Sequence, residues 1–323
     1  MTAASASTPR NRLTTNPLGP LPPLARLGGA SLALVEYLGG LAILAGAAAC
    51  APWTRRRGQP RLLPALIRQL DDLLRIGLPW LAILHIAFAA FLAMQAFFRA
   101  TFAESNGAVV GLGLMRSISP LLAGFALGGV LAVQTVLTLA DGLRPGLDDD
   151  PDALVDRDVM LGRAPDPRPL PDPGRLAFVR IGAAALAGPL LVVWGSALGM
   201  LVGLGLSSTL LGVSSGIYFG LFFDMLRVSD VVGIFVTGAA YPALAALIAC
   251  HEALRLASTT TPGQPRPARD SLRPIARIVL LSALAMLVVD AAWFTLTYIS
   301  GPPFGVGFDP PSGHSGVNLG GSR

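Results

Sequence analysis

Six side chains stand out because they are polar or charged within otherwise apolar stretches: His85, Gln95, Arg116, Gln134, Arg180 and Asp290. In hydrocarbon such groups need a partner or a water-lined cavity to offset their desolvation, so each is a candidate for an interhelical bond, an ion pair or contact with a polar cargo. For His85, Gln95 and Gln134 an interhelical hydrogen bond is the favoured reading. Asp290 suits a structural ion pair or helix cap as well as a role in transport.

Intramembrane catalysis does not fit these residues. A protease of that kind needs a Ser/His pair, paired aspartates or His/Glu metal ligands, and Asp290 is the only acid in its stretch. His251 and Glu252 are sequence neighbours, so on a helix they cannot both face one metal and read as headgroup-level polar residues. All 24 basic residues are arginine. A chain without lysine cannot carry a Walker-type phosphate loop, so ATP hydrolysis is expected on another polypeptide, with no cofactor on this one. Cys50 and Cys250 are too few and too far apart for a disulfide framework or a metal site. The short apolar run before Cys50 follows Glu36 and lacks a Leu three places before the cysteine, which argues against a lipoprotein signal.

The elements that must position these residues are membrane helices. A hydrophobic fraction of 53%, only 13% charged residues and a mean hydropathy of +0.62 place the chain in lipid, with apolar runs spread over most of its length. The net charge of +5 does not point to nucleic acid, because the arginines lie in short stretches between apolar segments and form no single stripe. Spans are expected at Leu78 to Phe98, Ile118 to Leu139, Leu176 to Leu206, Val231 to Leu254 and Ile278 to Ile299, each long enough for a core of about 30 Å at about 1.5 Å per residue. The third is longer than needed and can tilt, or kink at Pro189.

Arginine placement sets the orientation. Arg55, Arg56, Arg57, Arg61, Arg68 and Arg75 precede the first span; Arg144, Arg157, Arg163, Arg168 and Arg175 follow the second; Arg255, Arg266, Arg269 and Arg273 follow the fourth. Only Arg99, Arg227 and Arg323 fall on the other side, so a cytoplasmic N-terminus is expected. Leu62 to Leu78 is amphipathic, with Leu63, Leu66, Ile67, Leu70, Leu73 and Leu74 on one face, and is expected to lie in the interface. Gly28 to Ala51 is long enough for a sixth span. Crossing would carry Arg10, Arg12 and Arg26 outside and bury Glu36, at about 2.5 to 3.5 kcal/mol for an ionised side chain on insertion scales, so an interfacial position is preferred.

The expected organisation is thus a disordered tail over residues 1–23, interfacial helices over 24–77, an all-α membrane domain of about five transmembrane helices over 78–300 with a cytoplasmic loop at 140–175, and a disordered tail over 301–323. Gly195, Gly199 and Gly203 form one helical stripe and Gly124 with Gly128 another; such stripes let helices approach closely, by ordinary packing or as a dimer face.

Several blocks resemble the MlaE/YrbE permeases, membrane subunits of ABC systems that move lipids with MCE proteins. They are Leu66-Ile67-Arg68-Gln69-Leu70, Met94-Gln95, and above all Gly111-Leu112-Gly113-Leu114-Met115-Arg116-Ser117-Ile118-Ser119-Pro120, in which Arg116 and Pro120 match the family. Arg180 with Pro189, Asp230, Cys250, and the Arg277-to-Asp290 interval follow, so the resemblance runs from about Leu24 to Ile299. Departures fall on charged positions: Ser117 replaces a Glu, Val130 and Thr138 stand for Arg and Glu, and Thr237 replaces a Lys.

The resemblance implies a dimeric permease in the bacterial inner membrane, moving phospholipid or another lipid with an ABC ATPase and an MCE-domain partner. It implies an outward-facing lipid pocket near Met94, Gln95, Arg116 and Ser117, where apolar walls suit acyl tails and a fixed cation suits a phosphate. It also implies a coupling helix for the ATPase, of which Asp152, Ala153, Leu154 and Met160 are the matching positions, with acids inserted at Asp148, Asp149 and Asp150. Two other readings stay open: a degenerate or regulatory half of a heterodimeric permease, and an unrelated polytopic scaffold.

Overall fold

The computed structural model describes residues 23–54, 62–98, 111–140, 172–258 and 268–299. Among them every regular element is helical. α1 covers Pro23–Cys50 and α2 Leu62–Phe98; a π-turn at Leu114–Ile118 leads into α3, Ser119–Ala140. α4 is Pro173–Leu211, α5 Ser215–Met225, α6 Val228–Ser258 and α7 Ala268–Phe294, followed by a second π-turn at Thr295–Ile299. Residues 1–22, 141–171 and 301–323, which include nearly all of both expected tails and the coupling positions Asp152, Ala153, Leu154 and Met160, lie outside the described residues.

The chain divides into two compact units, Met1–Ile43 and Leu44–Arg323. The described part of the first is the leading portion of α1. Its Ser31–Cys50 stretch is long and apolar enough to cross a membrane, so the described residues hold six candidate spans where about five are expected from the sequence. At about 1.5 Å per residue its 20 residues match the hydrocarbon thickness, and Glu36 alone does not lower their mean hydropathy enough to disqualify them.

In the second unit the expected interfacial helix and first span are one unbroken helix, α2, of 37 residues. Pro79 sits inside it and removes the partner of the Arg75 carbonyl. The helix nevertheless continues through this point to Phe98. Leu73, Gly77, Leu81, His85 and Ala89 recur every four residues and are all buried, forming the stripe that α2 turns towards α4.

α3 is the centre of the unit, packing on α2, α4, α6 and α7. Half of the most apolar window of α3 and of α6 is buried, against 17% for α7, which leaves α7 at the periphery with leucine and valine facing outward. In lipid the hydrophobic effect gives helices no reason to associate, and close van der Waals contact and hydrogen bonds must do so. The glycines show how. A Cβ on Gly124 would meet Tyr241 Cβ and Met286 Sδ at 2.8 Å, and one on Gly128 would meet Ala245 Cβ at 3.2 Å, so this stripe receives α6 and α7. A Cβ on Gly188 would fall on the carbonyl oxygen of Gly238, where α4 and α6 cross backbone to backbone. The Gly195, Gly199 and Gly203 stripe is occupied in turn by the His85 ring, the Leu114 side chain and the Tyr218 hydroxyl. It is packed within the chain and does not form an open face.

Candidate functional site

Among the described residues, several polar connections join different helices. The densest surrounds Asp230, in the first turn of α6, whose side chain is fully buried. Asp230 Oδ2 accepts from the backbone N–H of Arg227 at 2.9 Å, the reach-back half of a capping box that satisfies one free donor at the helix start. The same carboxylate accepts from Arg116 Nε at 2.9 Å on Oδ1 and from an Arg116 terminal nitrogen at 2.8 Å on Oδ2. Arg116 also donates to the Met225 carbonyl at 3.2 Å. One guanidinium thus ties the π-turn ahead of α3 to the end of α5 and the beginning of α6, in the bidentate geometry that makes arginine–carboxylate pairs strong.

The π-turn presents Arg116 and seats Leu114 in the notch at Gly199, with Ser119 N–H bonded back to the Leu114 carbonyl. Such bulges occur often at functional sites. Beneath α5 lies an apolar cluster of Leu112 and Phe222 with Met115, Met200 and Met225 packed against it. α5 itself begins at a Ser214 cap, just after a left-handed turn at Gly212, and buries Tyr218 and Phe222 while Phe223 faces outward.

The second connection is a buried relay. Ser196 on α4 donates to Ser119 Oγ at 3.0 Å, and Ser119 on α3 bonds His85 Nε2 on α2 at 2.9 Å. His85 Nδ1 lies 2.8 Å from the Leu81 carbonyl, which can only accept, so the proton sits on Nδ1 and Nε2 accepts from Ser119. Every member has a partner, as a buried polar group requires. Third, Gln69 on α2 donates to Gln134 on α3 at 3.0 Å. Fourth, Tyr241 O–H on α6 donates to Asp290 on α7 at 2.7 Å. Arg180 is buried in α4 beside the buried Cys250 thiol of α6. At the far end of α6, Glu252 is buried with Arg277 Nε at 3.4 Å and an Arg255 terminal nitrogen at 4.0 Å.

Of the pocket positions named from the sequence, Met94 and Gln95 are exposed near the end of α2, while Arg116 and Ser117 are half-buried in the π-turn. Arg116 faces Asp230, a partner 114 residues away that sequence reasoning did not pair with it. Ser196 and Tyr241 are not among the residues named from the sequence, and Gln69 and Ser119 enter there only within the family-like blocks, without partners. A serine or glutamine on a buried apolar face is the signal that finds such residues, and only the packing names the partner. The positions that depart in charge are accommodated without it: Val130 packs against the central apolar cluster and Thr237 donates to the Gly233 carbonyl of its own helix at 2.6 Å. No group of three or more His, Cys, Asp or Glu able to hold a metal occurs among the described residues.

No curated protein matches the chain. Residues 171–294, the segment from α4 through α7, match the family model described as Permease MlaE. That match begins after the Arg116 block and independently covers the half of the resemblance carried by Arg180, Pro189, Asp230, Cys250 and Asp290. With helices alone as its regular structure among the described residues and multiple apolar helices of membrane-spanning length, the chain is an all-α, multi-pass membrane protein whose segment 171–294 is similar to the MlaE permease family.

Proposed function

We propose that this chain is the permease subunit of a bacterial lipid ABC transporter, moving phospholipid or a related amphiphile in the inner membrane with an MCE-domain partner and with ATP hydrolysis on a separate polypeptide. The observation that carries the reading is the permease match over α4 to α7, in a chain whose polar groups are spent on joining helices. An amphiphile needs apolar walls for its tails and a polar mouth for its head. The packed cluster of Leu112, Phe222 and neighbouring methionines beneath α5 sets apolar side chains beside the polar Arg116. The arginine-rich ends favour a cytoplasmic N-terminus and the expected cytoplasmic loop at 140–175, where an ATPase would dock, with α5 on the opposite side. The working unit is a dimer, with a second copy or with an unequal permease.

Purification in mild detergent from the native membrane tests this reading. The chain should bring down an ATPase with a Walker motif and bound lipid detectable by mass spectrometry. Recovery of the chain alone, lipid-free and without an ATPase, would overturn it. The loss of charge at Ser117, Val130 and Thr237 favours a second reading, the unequal half of a heterodimer, in which case a second permease chain co-purifies.

A further inference from the structure

α7 carries two arginines and an apolar stripe on one continuous face. Arg273, Arg277, Leu280, Leu284 and Leu287 succeed one another at intervals of four, three, four and three residues, the spacing that keeps side chains on one side of a helix. All five are exposed, Leu280 and Leu284 at 70% and 59%, so this face is covered by no other element among the described residues. At its head Arg277 is joined to Arg255 of α6 through the buried carboxylate of Glu252, and both guanidiniums remain more than half exposed. His251, half-buried, adjoins them. Among the described side chains here, three guanidinium charges face the single carboxylate of Glu252, which cannot neutralise them all.

Depth fits a single leaflet. From Arg277 to Leu287 the helix rises about 15 Å, half of a hydrocarbon core of about 30 Å. A head that is cationic and forked, continuous with apolar surface of that length, has the chemistry of a phosphate followed by an acyl chain.

We propose that this face of α7 binds one anionic phospholipid of the leaflet at the arginine-bearing end, its phosphate held by Arg273, Arg277 and Arg255 and an acyl chain lying along Leu280, Leu284 and Leu287. The site is separate from Arg116 and independent of the transport reading, since it requires only that the chain sit in a bilayer. Charge complementarity selects the occupant: a zwitterionic lipid leaves the excess charge unmatched, and a second copy of the same face brings like charge against like.

The test uses the full-length chain in nanodiscs of equal parts phosphatidylcholine and phosphatidylglycerol, with retained lipid counted by native mass spectrometry. Phosphatidylglycerol should be retained preferentially, and Arg273→Gln/Arg277→Gln should lower that preference roughly fivefold per arginine, the factor matching about 1 kcal/mol per basic residue at an anionic surface. Leu284→Gln, which leaves every charge in place and keeps a check on folding, should also lower retention. Added glycerol 3-phosphate should not displace the lipid. An unchanged preference in the arginine double variant overturns the proposal, as does an equal loss in Arg75→Gln, which would mark generic charge attraction. Displacement by glycerol 3-phosphate, or conversion of a dimer to a monomer by the double variant with lipid retention intact, overturns it equally.

Discussion

At the residue scale, Arg116 and Asp230 form the most consequential pair. The Asp230 side chain is fully buried, so removing the guanidinium leaves a carboxylate with its charge unmatched. Arg116→Ala is expected to destabilise the protein by about 3 kcal/mol, and Arg116→Ala/Asp230→Asn by less than the sum of the single changes. Thermal unfolding of the purified variants in detergent measures both. Simple additivity would show that the two groups do not depend on each other. Gly195 is the second such position, because a methyl group there would fall on a His85 ring already fixed by Leu81 and Ser119. Gly195→Ala should cost about 1–3 kcal/mol, and His85→Ala in the same chain should relieve part of that cost. Arg116 and His85 are legible in the sequence as polar groups in apolar stretches, Gly195 as part of a small-residue stripe and Asp230 through the resemblance. Their partners are not, because Arg116 with Asp230, Gln69 with Gln134 and Tyr241 with Asp290 lie 114, 65 and 49 residues apart.

At the scale of elements, the spans expected near Ile118, Leu176, Val231 and Ile278 appear as α3, α4, α6 and α7 with ends shifted by a few residues or, where an arginine-bearing turn extends the helix, by about ten. A long apolar run leaves a chain in lipid little choice but to form a helix. α5 was missed because 11 residues are too few to register as a span, although Ser214 supplies a cap and Gly212 a left-handed turn. The glycine stripes were legible as close-packing surfaces, and the structure supplies the side chains that fill them. Gly188, at the crossing of α4 with the Gly238 backbone, has no flexible neighbour to give way. Gly188→Ala should therefore lower the unfolding temperature markedly. By contrast Gly205→Ala, with open space around it, should be neutral or stabilising by about 0.5–1 kcal/mol through helix propensity. Equal behaviour of the two variants in the same melting assay would remove the close crossing as a source of stability.

At the scale of the whole molecule, the proposed orientation makes the two ends of α6 chemically distinguishable in cells. With Cys50 and Cys250 replaced, Ser214→Cys before α5 should react with a membrane-impermeant maleimide from outside, and Ser258→Cys at the end of α6 should not. Ser7→Cys should be protected as well if Arg10, Arg12 and Arg26 hold the N-terminus inside. External labelling at position 7 together with protection at 258 would mean that α1 crosses the bilayer. Labelling at 258 would reverse the whole arrangement.

The surplus residue in the π-turn at Leu114–Ile118 also fixes a phase. Each added residue advances a helix by about 100°, so the turn determines which way everything before it points relative to everything after it. Leu114 reaches the notch of Gly199 on α4, while ten residues later Gly124 opens towards Tyr241 and Met286 on α6 and α7. Deleting one residue here would let regular winding resume and swing one of these contacts away from its neighbour by roughly a quarter of a circle. A single backbone irregularity therefore lets one helix serve partners on both of its sides.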